Sequence, residues 1–399
     1  MTALPILVLN AGSSSIKFAI FAASSSDQSQ LASGIIEGIA SAGQGRCRLL
    51  DADGNTLQDE TADIPDSADG LARIVRLLAD HPELPRPAAI GHRMVCSSPE
   101  ITENQRVTPE LLATLEHYVN FAPLHTPPAL YILRHTLAAY PHVPSFIALD
   151  SWFHRDLPPT SRSLPIPQHF AALGIHRYGA HGLSYESIVD QLAPHLPQRL
   201  IVAHLGNGSS VTAIRNGRSL DTSMGLTPTG GLISATRTGD IDPGVLLFLL
   251  RQLASSAPAT LDAANALERI VNRESGLLGV SELSNDMRTL RSAIADGHAA
   301  ARLAVDLFTT SIRRFIGAYI AQLGGLDMLV FTGGIGQHDS ATRAEVCRGL
   351  DALGLVLDPA RNSAHDPTRI SADHSPVTVR TLAPAEERII VRHVLRLLA

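Results

Sequence analysis

Two segments about half a chain length apart share one construction, and it limits the folds open to the rest. The apolar run Ile6-Leu7-Val8-Leu9 has the composition of a buried strand; the polar turn Asn10-Ala11-Gly12-Ser13-Ser14-Ser15 follows, and then an apolar-rich run from Ile16 to Phe21. The same order returns as Leu200-Ile201-Val202-Ala203, the turn His204-Leu205-Gly206-Asn207-Gly208-Ser209-Ser210, and Val211-Thr212-Ala213-Ile214. Ser14-Ser15-Ile16 and Ser209-Ser210-Val211 coincide at an offset of 195 residues in a chain of 399. Such a unit at the head of two halves of equal size predicts a duplicated α/β domain, with a ligand in the cleft between the copies.

Helices fill the intervals. Leu71, Ile74, Val75 and Leu78 share one face at helical spacing, as do Phe308, Ile312, Phe315, Ile316, Tyr319, Ile320 and Leu323. The latter run ends at Gly324-Gly325 and leads into a predicted strand, Met328-Leu329-Val330-Phe331. From Glu386 to Leu398, Ile390, Val391, Val394, Leu395 and Leu398 form the stripe of a helix docked on a domain. Of three proline-rich stretches, Pro82 to Pro87, Pro123 to Pro128 and Pro158 to Pro167, only the third lies near the midpoint. The crossover is expected just after Asp150, giving one domain of 1–150 with 385–399 and another of 151–384.

Composition narrows the function. The chain holds 32 Lys and Arg against 38 Asp and Glu, a formal charge of -6, so no large basic surface for nucleic acid is expected. No apolar run reaches the roughly 18 residues of a membrane span, and the N-terminus lacks the basic segment of a leader, so a cytoplasmic protein is expected. Cys47, Cys96 and Cys347 are odd in number and widely spaced, which suits a reducing compartment and no zinc site.

Turns rich in glycine expose successive backbone N–H groups, which is what a polyphosphate needs from a protein. Gly12 to Ser15, with Lys17 as a nearby point charge, Gly206 to Ser210, and Thr332-Gly333-Gly334-Ile335-Gly336 after a strand all qualify. Each alone reads equally as a loop shaped for geometry; three together favour a nucleotide. GxxxxGK[ST] and GxGxxG are both absent. Arg93 in GHRMV and Arg237 in SATRTGD offer the planar fork that grips carboxylate or phosphate oxygens. His125 and His181 are single histidines, a type whose ordinary role is structural. Asp150 in FIALDSWFH either stands at the carboxyl end of a strand, where α/β sheets place ligands and metals, or caps a helix.

These phrases carry a resemblance. Asn10-Ala11-Gly12-Ser13-Ser14-Ser15-Ile16-Lys17, Gly91-His92-Arg93, Ala122-Pro123-Leu124-His125, Arg177-Tyr178-Gly179, His204-Leu205-Gly206-Asn207-Gly208, Asp221-Thr222-Ser223-Met224-Gly225-Leu226-Thr227-Pro228, Gly239-Asp240-Ile241-Asp242-Pro243 and Ser275-Gly276-Leu277-Leu278-Gly279 resemble the acetate kinase family. The resemblance extends to Glu386-Glu387, nearly the whole chain. It implies two duplicated ribonuclease-H-like domains around an active-site cleft, as in the superfamily of acetate and sugar kinases, heat-shock chaperone ATPases and actin. The implied reaction is reversible transfer of the ATP γ-phosphoryl group to acetate with Mg2+, or Mn2+, by a homodimer that engages neither nucleic acid nor membrane.

By the same resemblance Asn10 and Glu386 associate with the metal, Lys17 contacts nucleotide phosphate, and Asp150, His181 and Arg237 are catalytic. Arg93 binds the small carboxylic acid, with His125 beside it and Val95, Leu124, Ala180 and Pro228 around the acyl group. His204, Leu205, Gly206, Asn207, Gly208, Asp286, Met287, Arg288, Gly334, Ile335, Gly336, Gln337 and His338 surround the nucleotide. In-line transfer to an already ionised carboxylate needs no general base, which assigns Asp150 to orienting metal, water or substrate.

Departures from the family pattern cluster on the acyl side. Met94-Val95-Cys96-Ser97-Ser98 replaces Val-Val-His-Gly-Gly, Thr126 an Asn, Ala180 a Phe, and Leu183-Ser184-Tyr185 the usual Thr-Ser-His. On the nucleotide side Gln337-His338 replaces Glu-Asn and Thr229-Gly230 replaces Leu-Glu, while Pro384-Ala385-Glu386-Glu387 is one residue short, leaving Glu386 and Glu387 both open as metal residues. Phe to Ala vacates a ring's volume, so propionate or butyrate is expected to compete with acetate. Two alternatives stay open: a propionate or butyrate kinase of the same fold, and a regulatory ATP-binding hinge protein without catalysis.

Overall fold

The computed structural model describes residues 3–12, 15–24, 27–39, 45–95, 98–121, 126–256, 260–365 and 368–399. They form two compact units, Met1–Arg155 with Ala385–Ala399, and Asp156–Pro384. The first holds strands β1 (Leu4–Ala11), β2 (Ser15–Ala23), β3 (Gln28–Glu37), β4 (Gly45–Asp51), β5 (Thr56–Ala62), β6 (Ala89–Met94), β7 (Gln105–Arg106) and β8 (Ser145–Leu149), ordered β5-β4-β3-β2-β1-β6-β8-β7. β1 to β5 run as an antiparallel meander, whereas β1, β6 and β8 are mutually parallel. Parallel central strands are covered on both faces, which is why Ile6 to Leu9 and Phe146 to Leu149 read as unbroken apolar runs.

One cover is the helix Ser67–Asp80, started by Asp66, whose carboxylate accepts from the N–H groups of Ala68 (2.7 Å) and Asp69 (3.0 Å). Its Leu71, Ile74 and Leu77 join Leu7, Leu9, Ile16, Phe18 and Ile20 in one core. The opposite cover is the helix Glu386–Leu398, with Ile389, Ile390, Val391 and Val394 buried, packed on β1, β2, β6 and β8. It lies so close that a Cβ on Gly91 of β6 would come within 2.5 Å of Ile390 Cγ2.

The second unit contains β9 (Arg199–Leu205), β10 (Ser209–Arg215), β11 (Arg218–Thr222), β12 (Met328–Thr332) and β13 (Thr378–Thr381), ordered β11-β10-β9-β12-β13. β9 to β11 form an antiparallel meander and β9, β12 and β13 are parallel, so this sheet repeats the order and sense of β3-β2-β1-β6-β8. That is the duplicated α/β fold expected from the paired hairpins. The helix Ala299–Leu323 packs Phe308, Ile312, Ile316 and Tyr319 against the sheet and stops at Gly324, in the left-handed region at φ 68°. The Gly333 segment, expected as an open turn, instead continues as the short helix Gly333–His338. Gly333 turns the chain at φ 77°, and a Cβ there would stand 2.6 Å from the carbonyl oxygen of Leu205, so both the angle and the space demand glycine.

Cys47 and Cys347 are buried thiols, Cys96 lies outside the described residues, and among the described residues no helix is long and apolar enough to cross a membrane.

His92, on β6, is buried, with no hydrogen-bond partner for Nε2 among the described residues, and burial pushes its pKa down from 6.5 to about 3. The unfolded chain therefore takes up a proton at His92 near pH 6.5, while the folded chain does not until about pH 3. Acidification across that window favours unfolding, by about 1.4 kcal/mol per pH unit for this group. Denaturant titrations of His92→Leu between pH 6 and pH 4 are expected to show a shallower loss of stability than the unsubstituted chain by roughly that slope.

Candidate active site

Because β1, β6 and β8 are parallel, their carboxyl ends share one edge of the first sheet, the place where open α/β sheets receive ligands. Asn10, Arg93 and Asp150 stand at those three ends. Arg93 donates from Nε and Nη2 to the two carboxylate oxygens of Asp150 (3.1 and 3.0 Å) and from Nη1 to Asn10 Oδ1 (3.2 Å). The Asn10 amide in turn donates to Glu386 Oε2 (2.9 Å) and Glu387 Oε1 (3.2 Å), at the start of the covering helix. Asp150 is 1% exposed, and the two-pronged arginine contact stabilises its carboxylate there. Burial works against the Arg93 charge, but Asp150, Glu386 and Glu387 outweigh it and hold the guanidinium pKa above its ordinary value. Lys17 is exposed and pairs with Asn10 across β1 and β2.

Of the acyl-side residues in this unit, Val95 is half-buried, with its carbonyl accepting from Thr126 Oγ1 (3.2 Å). Leu124 and His125 lie outside the described residues.

The second unit assembles a different constellation at the corresponding sheet edge. His181 precedes the helix Gly182–Leu192 in the left-handed region, φ 57°, a strained setting for a residue with a side chain. Its Nδ1 lies 2.8 Å from Ser210 Oγ on β10, and its ring stacks on His204 at 4.2 Å between centroids and 23° between planes. His204, on β9, pairs its Nδ1 with Ser184 Oγ at 2.8 Å. A Cβ on Gly208 would meet Arg237 Nη1 at 3.2 Å and His181 Nε2 at 3.3 Å, so two nitrogen-bearing side chains converge where glycine leaves room. Arg237 Nη1 also donates to the Pro228 carbonyl (3.3 Å), and Ala180 is buried next to His181 in the chain.

The remaining expected nucleotide segments are distributed over the same unit. Leu205 is buried in β9 while Asn207 at the turn is exposed. Gly334 and His338 are exposed, Ile335 and Gln337 half-buried and Gly336 buried, and a Cβ on Gly334 would meet nothing within 4 Å among the described residues. Asp286 caps the helix Met287–Ala295 through the Arg288 N–H (2.8 Å), and the exposed Arg288 guanidinium returns to the same carboxylate (2.8 Å), which holds Asp286 below the usual carboxylate range. Met287 is buried.

Several residues that hold these segments carry no mark in the sequence. Arg343 is the largest fully buried side chain among the described residues; it donates to the carbonyls of Gly336 (3.0 Å) and Gln337 (2.7 Å) and to Asn362 Oδ1 (2.8 Å). Nothing in the local text marks it, because a buried arginine and a surface one look alike in sequence. In sequence Tyr185 reads only as a departure and Ser210 only as part of a turn, yet both are fully buried, Ser210 hydrogen-bonded to His181 and Tyr185 to Ser210.

The model of the Acetokinase family matches residues 5–392. The acetate kinase of Leifsonia xyli subsp. xyli (strain CTCB07) is 39% identical over 409 residues, covering 99% of each chain. The propionate kinase of Citrobacter rodentium (strain ICC168) is 38% identical, covering 98% of this chain and 96% of that one. The crystal structure of a propionate kinase from Francisella tularensis subsp. tularensis SCHU S4 superposes with a TM-score of 0.87 at 31% identity, covering 98% of both chains. With its doubled sheet order and full-length similarity, the chain belongs to the acetokinase family, the ATP-binding kinases of short-chain acyl groups.

Proposed function

We propose that this chain is an acetate kinase, transferring the γ-phosphoryl group of ATP reversibly to acetate, and that its acyl site also accepts propionate. The observation that carries the reading is the convergence of Arg237 Nη1 and His181 Nε2 on Gly208. A phosphoryl group in transfer spreads negative charge over three equatorial oxygens, and donors already in position stabilise it without reorganisation. The acceptor carboxylate is ionised near neutrality, so the obstacle is repulsion between two anions and not proton removal. Arg93 grips that carboxylate, and Asp150 orients the guanidinium. His204 to Gly208 and Gly334 to His338 present backbone to the nucleotide, with Asp286 to Arg288 and Lys17 contributing charged contacts.

A divalent cation, Mg2+ or Mn2+, fits the hard oxygen donors that Asn10 gathers, namely Glu386 and Glu387. Mg2+ is commonly held by one or two carboxylates together with substrate phosphates, a share that Glu386 and Glu387 can supply. Asn10 and Glu386 are the protein side of that site. When bound, the ion neutralises phosphate charge.

Assembly as a homodimer is part of the proposal. The helix Pro243–Ser256 carries six consecutive apolar residues, Val245 to Leu250, yet Leu247 and Phe248 are 53% and 58% exposed. An apolar surface of that kind is characteristic of an interface.

Three outcomes are expected. Arg237→Ala and His181→Ala each lower kcat on the order of 10² to 10³ while moving the KM for ATP far less, measured by hydroxylamine trapping of acyl phosphate; near-normal turnover removes them from the mechanism. Each buried CH2 contributes about 0.8 kcal/mol, so propionate approaches acetate in kcat/KM, and Ala180→Phe penalises propionate several-fold more than acetate; equal effects on both acids place Ala180 away from the acyl group. Phe248→Glu halves the mass seen by light scattering, and an unchanged mass assigns the interface elsewhere.

A further inference from the structure

His181, proposed to donate a hydrogen bond to the phosphoryl group in transfer, has two ring nitrogens, and a neutral imidazole carries one proton between them. Only the form protonated at Nε2 donates toward Gly208; the other presents a lone pair to an incoming anion. The choice is made at Nδ1, and that nitrogen is engaged at 2.8 Å by Ser210 Oγ. Ser210 is fully buried on β10, and its Oγ is also hydrogen-bonded to the hydroxyl of Tyr185, equally buried. Tyr185 stands four residues after His181, where its N–H donates to the His181 carbonyl (3.0 Å), so both side chains reach Ser210 from one face of the same helical turn.

Acidity orders the protons along this chain. A phenol, with a pKa of about 10, is a better donor than an aliphatic hydroxyl, and an imidazole nitrogen is a better acceptor than either oxygen. Tyr185 then donates to Ser210, Ser210 donates to His181 Nδ1, and each bond polarises the next in a dry interior. We propose that Tyr185 and Ser210 are positioning residues that lock His181 in the tautomer protonated at Nε2, so that it meets phosphoryl oxygens as a hydrogen-bond donor. The left-handed backbone at His181 holds the ring in that register, and the stacked His204 ring bounds one of its faces. This inference rests on the proposed role of His181 in the kinase reaction.

The test is long-range 1H–15N correlation on the full chain with 15N-labelled histidine at pH 8, where ordinary imidazoles are neutral, with His181 assigned by its loss in His181→Gln. The expected wild-type pattern is a protonated Nε2 and an unprotonated Nδ1. Ser210→Ala should give a mixture of tautomers and lower kcat by roughly ten- to a hundredfold with the KM for ATP nearly unchanged. Tyr185→Phe, which keeps the ring and its packing, should move both readouts in the same direction by less, and serves if Ser210→Ala fails to fold. A wild-type proton on Nδ1, or a tautomer indifferent to both substitutions, overturns the proposal. If the tautomer responds as expected while His181→Gln turns over normally, the relay stands and the catalytic role of His181 fails.

Discussion

Parallel pairing of the central strands is the constraint from which the site residues follow. Once β1, β6 and β8 run in one direction, their carboxyl ends must emerge along one edge, and the side chains at those ends become neighbours although they lie far apart in sequence. Asn10, Arg93 and Asp150 are joined in this way. The second sheet repeats the logic with β9 and β12, whose ends carry His204 and Gly333. Connections between parallel strands require long crossovers; in the first unit these supply the helix Ser67–Asp80 on one face, while the helix Glu386–Leu398 covers the other.

The two edges solve different electrostatic problems. In the first unit three carboxylates face one guanidinium, so negative charge is in excess, and the buried Asp150 is the member that loss of Arg93 would strand. In the second, an arginine and a histidine converge beside a residue chosen for having no side chain. The first arrangement suits a cation and a carboxylic acid; the second suits a group whose charge is dispersed over several oxygens.

Much of this was legible in the amino-acid order. The strand, turn and strand of each hairpin stood out because buried parallel strands leave unbroken apolar runs, and Arg93, Asp150 and Arg237 stood out because charge is conspicuous in apolar or glycine-rich surroundings. The bonding of His181 was not legible: Ser210 is 29 positions away on another element, and only the packing of a helix on a sheet brings them within 2.8 Å. Arg343 escaped notice for a similar reason, since its partners are main-chain carbonyls that any sequence possesses. The segment Gly333–His338 reads in sequence as a turn because glycine weighs against helix, whereas Gly333 alone makes the turn and the following residues continue in helical form.

The helix Glu386–Leu398 carries one more consequence. It covers the central strands of the first unit and brings Glu386 and Glu387 to Asn10, yet Asp156–Pro384 is translated before it. A ribosome therefore releases β1 to β8 with one apolar face bare, and that face stays so throughout synthesis of the contiguous second unit. Domains usually mature in the order they are made; here the earlier-synthesised half must wait, its oily strands exposed to chaperones or to neighbouring nascent chains, until the final helix closes over it.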